Sequence, residues 1–344
     1  MNQSPADIRS MSFDELAGWL REHGEPSYRA GQLWQALHAQ GVGDWEELTI
    51  LPRRLRESLA EEFALNPITI SKTQTATDGT IKLSVAYADG CLTECVFLPQ
   101  KDHSTACLSV QTGCRMGCRF CRTARLRKGR DLEPYEIEEE FHLLTKAAGE
   151  KPRNVVFMGM GEPLDCLGNT IAAARLLADP TGADVGFRRI TVSTVGIAPA
   201  IHELARLEPR LKIAFSLASP FQEQREELVP SARKYPLKEI IAALRHHAHT
   251  TRRRPTIEYL LLAGINDSEA HAQAILKLFA RLPCKINLIG YNANPDLPFR
   301  APEPEQMLRF QEWLHKGPNP VLLRKSLGTE ISAACGQLAG SQTA

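Results

Sequence analysis

The sequence predicts an α/β fold built on a parallel sheet with helices packed outside it, and three observations carry that expectation. Short apolar segments read as strands at 154–158, 189–192, 212–216, 256–262 and 285–289. Amphipathic helical patterns lie between them, and strands that alternate with helices form parallel sheets. Residues suited to ligand contact, Cys114, Gly159, Ser193, Ser216 and Asn292, fall at or just beyond strand ends, where the loops of parallel barrels carry chemistry.

Taken in order, residues 1–65 read as a small helical module. Ser12 and Glu15 form a capping-box signature ahead of Phe13, Leu16, Trp19 and Leu20 at helical spacing, and the pattern continues over 29–37 and 45–63. Over 66–99 the period changes to strand-like runs, IKLSVAYA and LTECVFL. They are broken at the turn dipeptides Asp78-Gly79 and Asp89-Gly90 and predict a short linking β-hairpin. The alternating core is expected over 100–335, with a tail at 336–344. Within it, Leu237, Ile240, Ile241 and Leu244 form one apolar helical stripe, and 267–281 opens with cap-type residues and carries another.

A chain of 344 residues at 43% hydrophobic composition buries a large core. No apolar stretch approaches the roughly 18 residues of a membrane span, and MNQSPADIRS has neither the basic nor the apolar region of a secretory signal, so a cytoplasmic protein is expected. Nine cysteines are too sparse for a disulfide scaffold. A net charge of +1 does not announce a nucleic-acid partner, but local charge says more. Seven Arg or Lys residues and no acid lie between Cys114 and Arg130, and Arg252, Arg253 and Arg254 form a second cluster. Each fits phosphate contact or a solvated face.

The most informative run is CRMGCRFC, with Cys114, Cys118 and Cys121. Three thiolates at this spacing hold three irons of a 4Fe–4S cube and leave the fourth open. Four-cysteine spacings close a cluster for electron transfer, and paired CxxC knuckles close a zinc site. Arg115, Arg119 and Arg122 around the thiols make a poor core segment, which argues against three buried free cysteines. The loop resembles that of the radical S-adenosylmethionine (SAM) superfamily, in which the open iron chelates SAM. Some 40 residues on, GMGEP (159–163) follows the apolar run NVVFM. Its glycines permit close backbone approach to a ligand, and Glu162 offers acceptors to an ammonium. TVSTVG and FSLASP add hydroxyls at Ser193 and Ser216.

Several further segments together make the chain similar to the RlmN/Cfr family of radical SAM RNA methyltransferases. They are EPSYRAGQLWQALHAQGVGDWEEL, DGTIKLSV, CLSVQTGC, NVVFMGMGEPL, RRITVSTVGI, CKINLIGYN and AACGQLAG. The resemblance implies a partial (β/α)6 radical SAM barrel behind the N-terminal module, one 4Fe–4S cluster on Cys114, Cys118 and Cys121, and two SAM molecules per turnover. It implies SAM contacts at Gly161, Glu162, Ser193, Ser216, Leu217, Ala218 and Asn292. It also implies Cys335 as the methylated cysteine, Cys107 as the cysteine that resolves the intermediate through a disulfide, and Glu94 as the proton-transfer residue.

The substrate so implied is a ring carbon of adenosine, C2, in large-subunit ribosomal RNA and also in transfer RNA. The alternatives are a Cfr-like C8 methyltransferase and a non-catalytic iron-sulfur RNA-binding protein. An external one-electron donor such as a flavodoxin, no membrane and a monomeric chain complete the expectation. One departure stands out: SLASP places Ala218 where the family carries histidine. His246, His247 and His249 trail a helix and read as solvated, while Cys91, Cys95, Cys166 and Cys284 have no ligand-like spacing and read as buried or incidental.

Overall fold

The computed structural model describes residues 5–126 and 129–339. Helices α1 (Phe13–Glu22), α2 (Tyr28–His38) and α3 (Arg53–Glu62) open the chain. The capping box forms: Ser12 Oγ accepts the Glu15 N–H, and Glu15 Oε2 accepts the Ser12 N–H at 2.7 Å. The helix expected over 45–63 is instead a short 3-10 turn, Trp45–Glu47, and then α3. Pro52 divides them, because the residue before a proline is driven out of helical conformation. Leu16, Leu20, Leu33, Leu37, Leu55 and Leu59 give these helices a core of their own.

The 66–99 segment is more than a hairpin. Strands β1 (Thr69–Thr75), β2 (Ile81–Ala86) and β3 (Leu92–Pro99) form an antiparallel meander. It joins β4 (Ser104–Cys107), also antiparallel to β3, to make one sheet with the rest of the chain. From β4 onward every pairing is parallel. The order is α4 (Pro134–Ala148), β5 (Asn154–Phe157), α5 (Leu167–Ala178), β6 (Ile190–Thr194), α6 (Ala198–Leu207), β7 (Lys212–Ser216), α7 (Gln222–Leu228), α8 (Leu237–Thr251), β8 (Thr256–Leu261), α9 (Glu269–Phe279), β9 (Lys285–Gly290), α10 (Pro304–Leu314) and β10 (Val321–Arg324).

The two faces of this sheet differ in chemistry. Val155, Phe157, Val192, Ile213, Phe215, Ile257, Tyr259 and Leu288 point to one face, are buried, and belong to the core shared with the helices. Because side chains alternate along a strand, the register puts Glu94, Cys107, Ser193, Ser216, Glu258 and Asn287 on the other. That face is concave. The short stretch 333–339 packs on Val96 of β3 and Cys107 of β4 and also bonds Asn292 just beyond β9, although five strand spacings in a flat sheet would separate β4 from β9 by about 24 Å. The sheet therefore curls into a partial barrel, with the polar face as its lumen.

The N-terminal helices are locked to α4 by buried polar contacts. His38 Nδ1 meets Glu138 Oε2 at 2.6 Å, and Lys146 Nζ donates to the Gly41 carbonyl at 2.8 Å. Arg9 pairs with Asp7 and lies 3.9 Å from Glu139. Gly41 has φ +61°, and a Cβ there would fall 2.6 Å from the His142 ring, so only glycine fits this joint.

Candidate active site

β4 ends at Cys107, and the chain runs on through Leu108–Gln111 to the cysteine loop. This extension packs directly on GMGEP. A Cβ at Gly159 would lie 2.7 Å from the Leu108 carbonyl, and one at Gly161, whose φ is +103°, would lie 2.7 Å from Gln111 Cβ. The two glycines are thus required first by protein packing. Glu162 is buried, and its oxygens accept the N–H groups of Leu164 at 3.1 Å and Val195 at 2.9 Å. Burial raises its carboxyl to about 7 against these bonds. Glu162 ties the loop after β5 to the loop after β6.

All nine cysteines are unpaired thiols. Cys114, Cys118 and Cys121 share one loop, with Gly117 at φ +73° making its turn. Burial first, then the neighbouring cysteines, pushes Cys114 up to about 12 and Cys118 up as well. Cys114 and Cys118 so placed resist ionisation until a cation takes the proton's place. Three free thiols on one loop are the soft, all-sulfur donor set that an iron-sulfur cluster takes.

Ser193 lies one residue before the end of β6, and Ser216 ends β7. Leu217 and Ala218 follow, both buried, with Ala218 at φ +59° and its carbonyl accepting Asn266 Nδ2 at 2.8 Å. A non-glycine residue held in the left-handed region is strained, so this turn is fixed by its surroundings and not by its own preference.

The C-terminal segment returns to the lumen face and the loops beside it. Gly336 C=O accepts the Arg122 N–H at 2.9 Å, and Leu338 C=O accepts Thr123 Oγ1 at 2.6 Å, both just after the cysteine loop. Asn292, beyond β9, donates to the Cys335 carbonyl at 3.3 Å. Gln337 Nε2 donates to the Ala293 carbonyl at 2.9 Å. Ala333 and Leu338 pack on Val96, Cys107 and Met160.

Cys335 is accessible to solvent but enclosed enough that burial is the chief cause raising its thiol, with Glu258 adding to the rise and Arg324 opposing it. It acts in turn on the Cys107 thiol, which burial pushes up further, and it feels Cys121. The stretch that carries Cys335 thus lies beside both the cysteine loop, through Gly336, and Cys107, through Leu338. Glu94, buried on β3, pairs with Lys82 Nζ at 3.3 Å and accepts the Ala339 N–H at 2.8 Å.

Sequence reading missed Lys82, Glu258 and Asn287. Each is a polar residue inside an apolar strand, and a polar residue in such a run must find a partner. Asn287 Nδ2 donates to Glu258 Oε1 at 2.9 Å, while Glu258 Oε2 is buried without a partner.

The basic run divides. Arg115 bonds Asp131 and Asp165, each at 2.6 Å, and Arg130 bonds Asp89 and Glu136, so both are structural ion pairs. Arg119 and Arg125 are exposed, and Arg127 and Lys128 lie outside the described residues. Arg252, Arg253 and Arg254 precede β8, at the end of the barrel opposite the site. His247 corrects its expectation of solvation: it is fully buried on α8, and burial lowers it to about 4. Cys95, Cys166 and Cys284 are buried, and Cys91 is half-buried.

A curled parallel sheet with a three-cysteine loop after its first parallel strand and a glycine loop packed beside it defines a radical SAM enzyme. The radical SAM superfamily model matches residues 108–275. A radical SAM methyltransferase from Sphaerobacter thermophilus superposes with a TM-score of 0.93 at 38% identity, covering 98% of this chain and 100% of that one. Its cofactors are accordingly a 4Fe–4S cluster and SAM.

The N-terminal residues 6–65 match the ribosomal RNA large subunit methyltransferase N-terminal domain. Proteins described as dual-specificity RNA methyltransferase RlmN are similar throughout. That of Syntrophus aciditrophicus is 40% identical over 99% of this chain and 98% of its own length. That of Anaeromyxobacter sp. is 42% identical over 97% and 90%. The chain belongs to the RlmN family.

Proposed function

We propose that this RNA methyltransferase methylates C2 of adenosine in large-subunit ribosomal RNA and in transfer RNA, through a methyl group carried on Cys335. The observation that supports the reading is the course of the C-terminal segment: Gly336, next to Cys335, accepts the Arg122 N–H beside the cysteine loop, Leu338 packs with Cys107, and Glu94 holds Ala339. The N-terminal domain's description supports ribosomal RNA as a target, and the relatives' description as dual-specificity RNA methyltransferases supports a second RNA class.

Adenine C2 is not nucleophilic, so displacement at SAM cannot methylate it. Bound with a cluster on Cys114, Cys118 and Cys121, SAM supplies a methyl group to a thiolate and, with one electron from an external donor such as a flavodoxin, a radical that abstracts hydrogen. Gly161, Glu162, Ser193, Ser216, Leu217, Ala218 and Asn292 are the SAM contacts in this reading. The chain's own groups do the rest. The Cys335 thiolate takes the methyl group, and its sulfur then links to the base through the resulting CH2, dividing a difficult transfer into easier steps. Glu94, held by Lys82, takes the proton from the attacked ring carbon, a role that needs reach more than basicity. The odd electron left on the base by the addition would be taken back by the oxidised cluster as Glu94 removes the proton. The Cys107 thiolate then attacks the Cys335 sulfur, and the electron pair of the broken sulfur–carbon bond goes to the methylene carbon, which takes up a proton to become the methyl group of the released base. The disulfide so formed is reopened by an external thiol reductant. A target adenosine outside its stack suits a site at a lumen mouth. The enzyme acts in the cytoplasm as a monomer.

The test is nucleoside mass spectrometry of ribosomal and transfer RNA from a host lacking its own such methylase. The host expresses either the wild-type chain or Cys335→Ala. 2-Methyladenosine in both RNA classes, with wild type alone, is the expected result. 8-Methyladenosine, or product from Cys335→Ala, contradicts the reading.

A further inference from the structure

Arg225, on α7, is fully buried. Its Nε donates to the Leu217 carbonyl at 3.1 Å, its Nη2 donates to the Val195 carbonyl, and its Nη1 has no partner. A guanidinium removed from water costs several kcal/mol unless an anion compensates it. Two carbonyls and the face of Phe215, 5.5 Å away, leave the net charge in place. Among the described residues no acid forms an ion pair with it, and the group that acts on it electrostatically is Cys118.

The backbone accounts for that proximity. Leu228, the last residue of α7, accepts the Arg119 N–H at 2.9 Å, between the second and third cysteines. Gly117 lies against Pro230, where a Cβ would come within 3.7 Å of its ring. The element carrying Arg225 is thus fastened to the cysteine loop on both sides of Cys118.

We propose that Arg225 is the built-in counter-charge of the iron-sulfur cluster and holds its reduction potential up. One-electron reduction by an external donor adds one negative charge to a cluster already ligated by three thiolates. A nearby buried cation stabilises that added charge, and charge and hydrogen bonding around the sulfurs are what set such potentials. The same guanidinium joins the loops after β6 and β7, so its position is fixed without a carboxylate that would cancel it. The inference concerns the cluster alone and is independent of the target base and of the roles of Cys335, Cys107 and Glu94.

The experiment is an electron-paramagnetic-resonance redox titration of the reconstituted holoprotein, without SAM, for wild type, Arg225→Met and Arg225→Lys. Iron and sulfide are quantified first. The expected result is a more negative midpoint potential for Arg225→Met and one near wild type for Arg225→Lys. An Arg225→Met protein that carries its cluster at the wild-type potential overturns the proposal. If that protein also binds SAM more weakly, the free Nη1 serves the carboxylate of SAM instead. Should Arg225→Met fail to take up a cluster, Arg225→Lys decides: a loaded lysine variant at the wild-type potential supports charge compensation. Failure of both variants assigns Arg225 to its bonds with Leu217 and Val195 and overturns the proposal.

Discussion

Glu94 on β3 and Ala339 near the C-terminus meet at 2.8 Å across 245 positions of sequence. The residue expected to move the proton therefore also fastens the end of the segment that carries Cys335. Glutamine in its place keeps an oxygen able to accept the Ala339 N–H but loses the carboxylate. Glu94→Gln is expected to lower base methylation about 10²-fold or more, while Cys335 still gains its methyl group. Peptide mass spectrometry of Cys335 beside RNA nucleoside analysis separates the two steps.

Lys82 is buried with Glu94 at 3.3 Å and also donates to the Ser332 carbonyl at 3.2 Å. Lys82→Met strands the Glu94 charge, and breaking a buried pair from one side costs about 3–5 kcal/mol. Urea unfolding is expected to show a loss of that order, relieved in part by adding Glu94→Gln. Equal stability of Lys82→Met and wild type would remove the pair from the account.

Gly336 has φ +82°, and a Cβ there would stand 3.5 Å from the Phe120 carbonyl. There is room for the side chain but not for the backbone, and the left-handed region costs an L-residue about 1–2 kcal/mol. Gly336→Ala is expected to keep its cluster and lose about tenfold in the rate of Cys335 methylation, the rate equivalent of that strain.

Much of the parallel core was legible because its strands are apolar runs bounded by helical stripes, and the cysteine loop because its spacing is local. β4 and β10 were not. Each is four residues long, and the sequence STAC has no alternation to read. His247 reads as solvated with His246 and His249 because the three trail a helix, yet the helical period turns it inward. The arrangement of the site was hidden for a different reason: Glu94, Cys107, Asn292 and Cys335 are brought together by the curl of the sheet and the return of the C-terminus. Neither leaves a periodic trace. Ala218, which stands where the family carries histidine, is also a point where the backbone turns with a positive φ.

Glu139, facing Arg9, Lys146, Glu138 and Asp7, is raised by burial to about 7, whereas in the unfolded chain a glutamate titrates near ~4.3. Between those values the folded chain holds a proton that the unfolded chain has released. Stability is therefore full below the unfolded value and is lost as pH rises through about 7. Glu139→Gln removes this titration. Its stability relative to wild type is expected to rise from pH ~5 to pH ~8, by at most on the order of 3 kcal/mol. Urea melts at the two pH values measure it, and a pH-independent difference would contradict the assignment.

In the proposed reaction Cys335 carries the transferred carbon and Cys107 releases it. The direct measurement is the gel mobility and mass of Cys107→Ala protein after turnover with RNA and nuclease trimming. The expected result is RNA covalently attached at Cys335, absent from a Cys107→Ala/Cys335→Ala double variant. A Cys107→Ala protein that releases methylated RNA freely, with no adduct, would contradict it.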